Sequence, residues 1–327
     1  MHDFTLLALP GAFASGVSAT LDLLACAAAQ AHARGCAAIR WRVCGPARSV
    51  TLSNGVRVEA ELLPRQPQAD RSIWVVPGLC VDTPQAIDAR LAQPDARRAM
   101  RALQAQVAAG GTVAACCSAV FLLQGAGLLA GKRVTTTWWL GGLLQQLEPT
   151  CVVDVDQMVV ADGSVLTAGA AFANVDLLLH LLRSRFNPAL AEAVSRTLLV
   201  DGRQSQAPYI AARTLAAGND LASRLVARFE ARLAEPPSVA ELAAELCMSS
   251  RTLARHVKAA TGRSVSALLQ SVRIQRARML LETSTLSVEE VARQVGYADT
   301  TALRRLLRKS TRATPRQLRP QLCEARR

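Results

Sequence analysis

The chain has 327 residues, 50% of them hydrophobic and 19% charged, with 38 Lys and Arg against 25 Asp and Glu, enough for two globular domains. The surplus sits at the rear: residues 1–200 carry 16 basic and 14 acidic side chains and residues 201–327 carry 22 and 11, so a polyanion is the expected partner of the rear part, each neutralised phosphate releasing a counterion. No long uncharged apolar run and no basic leader in Met1 to Pro10 argue against a membrane span or signal peptide and for a cytoplasmic protein, and nine scattered cysteines without ligand spacing argue against a disulfide framework or a metal site.

The front two hundred residues alternate short apolar runs with longer amphipathic stretches, the pattern of parallel strands joined by crossover helices. Strands are expected at Phe4 to Leu9, Ile39 to Cys44, Ile73 to Val76, Thr112 to Cys116, Cys151 to Val155 and Val165 to Ala168, with a shorter one at Val134 to Thr136. Helices are expected at Ser18 to Arg34, Asp95 to Ala109, Ala119 to Ala126, Thr137 to Leu147, Ala173 to Leu182 and Ala189 to Leu199. This order predicts a doubly wound α/β domain over residues 1–200, with ligands bound at the carboxyl ends of strands, in the loops after Leu9, Val76 and Cys116.

From 201 to 220 the periodicity fades into a polar stretch with Gly202, Pro208 and Gly218, the expected linker. Helix patterns fill 221–320, and 321–327 reads as a frayed tail. In SVAELAAELCMSSRTLARHVKAAT, residues 238–261, a helix ending near Leu246 precedes a second one opening at Ser249 or Ser250. The plan returns in SVEEVARQVGYADTTALRRLLRKST, residues 287–311, where Gly296 ends one helix and Asp299 can cap the next. Leu253 and Val257 of the first copy, and Leu303, Leu306 and Leu307 of the second, are expected to face inward. That leaves Ser250, Arg251, Thr252, Arg255 and Lys258, and Thr300, Thr301, Arg304, Arg305 and Arg308, as rows of donors for double-stranded DNA. Arg251, Arg255, Thr300, Thr301 and Arg304 are expected at bases, Lys258 and Arg308 at phosphates. Between the copies, Val265 to Thr283 is expected as one amphipathic helix about 27 Å long, near one turn of DNA.

These residues resemble the AraC/XylS family of transcription regulators, whose second-unit signature is similar to SVEEVARQVGYADTTALRRLLRKSTRATPRQLR. Leu303 stands where that family usually has phenylalanine, and Arg312 where glycine is common. The resemblance implies an all-α double helix-turn-helix domain that binds promoter DNA, with RNA polymerase as a further partner.

In the front domain, TVAACCSAVFLLQGAGLLAGKRVTTTWW places Cys116 and Cys117 where a strand turns into a helix, the elbow that lifts a nucleophile above a sheet. With Pro77-Gly78 and TAGAAFANVDLLLHLL it resembles the DJ-1/PfpI superfamily, class I glutamine amidotransferase-like and flavodoxin-like in fold. The sensing domains fused to AraC-type DNA-binding domains are the most similar part of it. Thr137 stands where relatives commonly have histidine, the stretch Ala14 to Leu21 supplies no carboxylate, and Asp22 falls within the following helix. The expected role is therefore effector binding without catalysis, metal or cofactor, by Pro77, Gly78, Cys117, Ser118, Thr137 and Trp138. The helix start after Cys117 would meet an anionic group and Trp138 or Trp139 a cationic amine. The resemblance implies an amino acid or quaternary amine as effector and a homodimer held by the front domain. A cysteine-dependent amidase, hydratase or glyoxalase tethered to DNA is the competing reading.

Overall fold

The computed structural model describes residues 2–63, 70–216, 219–311 and 313–319, and the chain divides into two compact units, 1–206 and 207–327. Gly218, Arg312 and the tail 321–327 lie outside the described residues.

The first unit opens with β1 (Phe4–Leu7), α1 (Ala14–Ala31) and β2 (Trp41–Gly45), followed by the short strands β3 (Ser49–Thr51), β4 (Arg57–Glu59) and β5 (Glu61–Leu62). Next come β6 (Ile73–Val76), α2 (Pro84–Leu91), α3 (Pro94–Ala108), β7 (Thr112–Cys116) and α4 (Val120–Gly125). The unit closes with β8 (Arg133–Val134), α5 (Gly141–Leu147), β9 (Val152–Val153), β10 (Val159–Asp162), β11 (Val165–Ala168), α6 (Ala173–Arg185) and α7 (Pro188–Leu198).

The main sheet runs β10-β11-β7-β6-β1-β2-β5, parallel at every pair except β10 with β11. Strands β1, β6 and β11 are buried along their whole length, as helices on both faces require. Alternate residues feed two cores: Phe4, Ile73, Val75 and Ala114 pack under α1, α6 and α7, while Leu7, Trp74, Val76 and Val113 pack under α3 and α4. The strand order reverses between β1 and β6, so a crevice is expected where their loops diverge.

Several expectations shift. The helix expected from Thr137 begins at Gly141, because Thr135, Thr136 and Thr137 form a buried loop. The strand expected at Cys151 to Val155 shrinks to β9, which pairs with β8 outside the main sheet. The hairpin β10–β11 turns at Gly163-Ser164, and the hairpin β3–β4 and helix α2, capped by Thr83, are additional. Among the described cysteines, Cys80 and Cys247 are exposed rather than packed.

The stretch 201–220 is not a free linker. Arg203 clamps Asp176 through its backbone N–H and guanidinium, and Gln206 is buried, so 203–206 belong to the first unit. From Ala207 the chain belongs to the second unit, whose α8 (Ala212–Ala216) buries Ala212, Leu215 and Ala216.

That unit is helical: α9 (Asp220–Ala231), α10 (Val239–Glu245), α11 (Ser250–Thr261), α12 (Val265–Thr283), α13 (Val288–Gln294), α14 (Thr300–Thr311) and α15 (Pro315–Leu318). Helices α10 and α13 start with the same reciprocal device: Ser238 with Glu241 and Ser287 with Glu290 each satisfy two orphan N–H groups. Helix α12 is not amphipathic in the simple sense expected. Val265, Leu268 and Val272 lie on one side and Ile274, Ala277 and Leu281 on the roughly opposite side at 3.6 residues per turn. It is packed by α9 and α11 as well as by α13, α14 and α15, so each half buries the face its own neighbours cover.

Candidate functional site

The chain turns at Cys117 with φ 58°, a left-handed conformation that strains a residue bearing a Cβ by about 1–3 kcal/mol. Neighbours hold it there: the Cys117 N–H donates to the Gly169 carbonyl at 2.8 Å, and Thr136 Oγ1 donates to the Cys117 carbonyl at 2.9 Å. Gly78 has to lack a side chain, since a Cβ there would stand 2.9 Å from Cys117 Cβ.

Thr137 Oγ1 donates to Cys117 Sγ at 2.9 Å. A hydroxyl stabilises a thiolate but takes no proton from a thiol, and burial outweighs it, holding the Cys117 thiol above its ordinary pKa. Of the six expected effector residues, Pro77, Gly78, Ser118 and Thr137 are buried and Cys117 is half-buried. Ser118 Oγ accepts the Leu79 N–H at 3.1 Å. The Cys117 N–H is already spent on Gly169, and the helix behind it is a 3-10 turn, Cys117–Ala119, ahead of the six-residue α4. This arrangement gives no helix terminus for an anion. Trp138 is only 8% exposed and meets Trp139 edge to face at 4.9 Å, so Trp139, at 38%, is the ring that reaches solvent.

Sequence reasoning missed two rings at the same end of the sheet. Phe13 donates its N–H to the Gly78 carbonyl at 2.7 Å, and Phe172 lies three residues beyond Gly169. The two rings meet edge to face at 6.2 Å, with Phe172 57% exposed. The signal available was a bulky apolar residue beside Gly11 and at the end of TAGAAF, within two strand-end loops.

In the second unit, Ser249 caps α11 through the Thr252 N–H, and Asp299 caps α14, accepting the Ala302 N–H at 3.0 Å. Leu253, Val257, Leu303 and Leu307 are buried; Leu306 is half-buried. On α11, Ser250, Arg251, Arg255 and Lys258 are exposed and Thr252 is half-buried. On α14, Thr301, Arg304, Arg305 and Arg308 are exposed and Thr300 is half-buried. Among the described residues Arg251, Arg255, Arg304 and Arg308 enter no ion pair. Lys258 is partly engaged at home, donating to the Gly262 carbonyl that closes its own helix. Thr301, Arg304, Arg305 and Arg308 border a groove of about 510 Å³ together with Thr314 and Arg316. The last two were missed, although Thr314-Pro315-Arg316-Gln317 carries a readable capping box with proline at the first helical position.

No helix among the described residues is long and apolar enough to cross a membrane. Residues 43–184 match the model of the DJ-1/PfpI family, and residues 242–321 match a helix-turn-helix domain model. The chain is 29% identical over 174 residues to the HTH-type transcriptional regulator ArgR of Pseudomonas aeruginosa, a match covering 52% of this chain and 53% of that one. It is 26% identical over 195 residues to CdhR, an HTH-type transcriptional regulator of the same organism, covering 59% and 58%. The matched region thus spans little more than half the length of these curated relatives. A candidate transcriptional regulator from Vibrio parahaemolyticus, a solved structure, aligns with TM-score 0.50 at 17% identity over 60% of this chain and 97% of that one, a likeness of fold alone. The chain thus resembles HTH-type transcriptional regulators, with a DJ-1/PfpI match in its front part and a helix-turn-helix match in its rear part.

Proposed function

We propose that this protein is a transcription regulator that binds promoter DNA through α11 and α14 and is controlled by a small molecule sensed in its first unit. The observation that carries the reading is the pair of capped helices with apolar backs and exposed arginines in front, Arg251 and Arg255 on one, Arg304 and Arg308 on the other. Arginine forks suit guanine edges and phosphates, and the preceding short helices supply the helix-turn-helix frame. The regulator names of ArgR and CdhR support the same assignment.

The first unit acts as a sensor rather than an enzyme, because the Cys117 thiol is partnered by the Thr137 hydroxyl and its pKa is raised, the reverse of what a nucleophile needs. The effector lies against Cys117, Phe13 and Phe172, an aromatic setting suited to a quaternary amine or the apolar part of an amino acid. Dimerisation through the first unit and contact with RNA polymerase complete the proposal.

Selection of bound duplexes from a random pool, followed by footprinting, tests the DNA assignment: two protected major-groove segments about one turn apart support it, and binding without sequence preference overturns it. A thermal-shift screen of amines and amino acids tests the sensor, since a ligand that prefers the native state raises the melting temperature. Sedimentation of residues 1–206 as a monomer at micromolar concentration would remove the dimer.

A further inference from the structure

Gln206, the last residue of the first unit, is 2% exposed, and its side-chain amide is inserted among the loops that hold Cys117. Its Oε1 accepts the Ala170 N–H at 3.0 Å, and its Nε2 lies 3.0 Å from the Thr136 carbonyl and 3.2 Å from Thr135 Oγ1. The same nitrogen reaches the carbonyls of Val155 and Gln157 at 3.2 Å each. Gly169 leaves the room: a Cβ there would stand 2.2 Å from Gln206 Cδ.

These partners adjoin the groups that fix the elbow. Gly169, next to Ala170, accepts the Cys117 N–H; Thr136 bonds Gln206 through its carbonyl and Cys117 through its hydroxyl; Thr137 bonds the thiol. The chain on the other side of Gln206 is equally committed. Residues Ala207–Tyr209 form a 3-10 turn that packs on α14 and α12, and the Pro208 carbonyl accepts Arg278 Nη1 at 3.4 Å.

We propose that Gln206 is the positioning residue through which the Cys117 site and α14 are coupled. This rests on the regulator reading above and names its means of transmission. An occupant that displaces the Thr135–Thr137 loop or Gly169 takes hydrogen-bond partners away from a buried amide, which then has to be rehydrated. The next peptide bond leads straight into the turn on which α14 rests. By linkage the effect is reciprocal: fixing α14 on a duplex stabilises one arrangement of the Cys117 loops.

The test uses the full chain and iodoacetamide as the probe of Cys117. Hydrogen exchange is followed by mass spectrometry before and after alkylation of Cys117, in a protein whose Cys26, Cys36, Cys80, Cys247 and Cys323 have been replaced by serine. Faster exchange in residues 203–216 after alkylation is the expected result; exchange changed only within 112–137 overturns the proposal. Gln206→Ala should raise the alkylation rate of Cys117 by about tenfold, the kinetic equivalent of one net buried hydrogen bond, and Gln206→Glu, which keeps the shape but loses the amide donor, should raise it as well. Wild-type rates in both variants overturn the proposal, and the exchange measurement decides even where a variant fails to fold. Neither readout involves DNA, so failure to bind any duplex would sink the regulator reading while leaving the coupling to stand or fall on its own.

Discussion

Arg273 lays its guanidinium over the Tyr297 ring, 4.8 Å from the ring centre, while its Nη2 donates to the Gly296 carbonyl at 3.1 Å. One side chain of α12 thereby fixes the turn between α13 and α14. Gly296 has φ 78°, and a Cβ there would stand 2.5 Å from both Arg273 Nη2 and the Leu233 carbonyl. Gly296→Ala is therefore expected to cost about 1–3 kcal/mol, and Arg273→Ala about 1–2 kcal/mol from the lost hydrogen bond and ring contact. Chemical denaturation of the two variants checks both, and a change within error for Gly296→Ala would show that the turn relaxes freely.

Arg255 and Lys258 lie on the same exposed side of α11 but only Lys258 is tied to its own helix end. Arg255→Ala is expected to lose about 1–3 kcal/mol on the preferred duplex and to relax its preference at one position. Lys258→Ala should weaken all duplexes alike and lower the salt slope by about 1. Titrations at two salt concentrations against preferred and scrambled duplexes separate the two outcomes.

Because the thiolate is the reactive form and burial raises the Cys117 pKa, alkylation of Cys117 should be slow at pH 7–8 and rise only above the range of an ordinary thiol. Thr137→Val removes the donor that favours the thiolate and should move the profile further up in pH. Cys151, whose thiol burial pushes up to about 11, serves as an internal reference. Rapid modification of Cys117 at pH 7 would restore the enzymatic reading.

Asp176 is buried and bound by Arg203. Burial holds its carboxyl above the ordinary value even with that partner present. Arg203→Ala leaves the carboxylate uncompensated, and a loss of about 3 kcal/mol is expected at pH 7. The sign of the pH dependence follows: the folded form retains the proton at a pH where the unfolded form has released it, so the variant loses stability as pH rises through the folded value. Melting curves at pH 4.5 and 7.5 should show the smaller deficit at the lower pH.

The buried strands β1, β6, β7 and β11 were readable because each is a short run of apolar residues with flanking turn signals. β10 was hidden although Gly163-Ser164 marks its turn, since Val159–Asp162 alternates too briefly to stand out. The elbow was legible from Cys117 and its surroundings, and the arginine faces from the leucines behind them. At Thr137 local composition cannot tell a buried loop from a helix start. Gln206 was unreadable for a deeper reason: a polar residue in a polar stretch looks solvated, and only the acceptors assembled from 135–136 and 155–157 and the donor at 170 make its burial tolerable.

The boundary in the chain between Gln206 and Ala207 also decides how the molecule can be cut. A fragment begun at 221 would shed Ala212, Leu215 and Ala216 and the Gln275 side chain's bond to the Ala212 N–H, stripping apolar cover from α9 and α12. Begun at 207, it keeps that cover, so a chimera carrying a foreign sensor should be spliced at this seam, upstream of where sequence composition alone invites the knife.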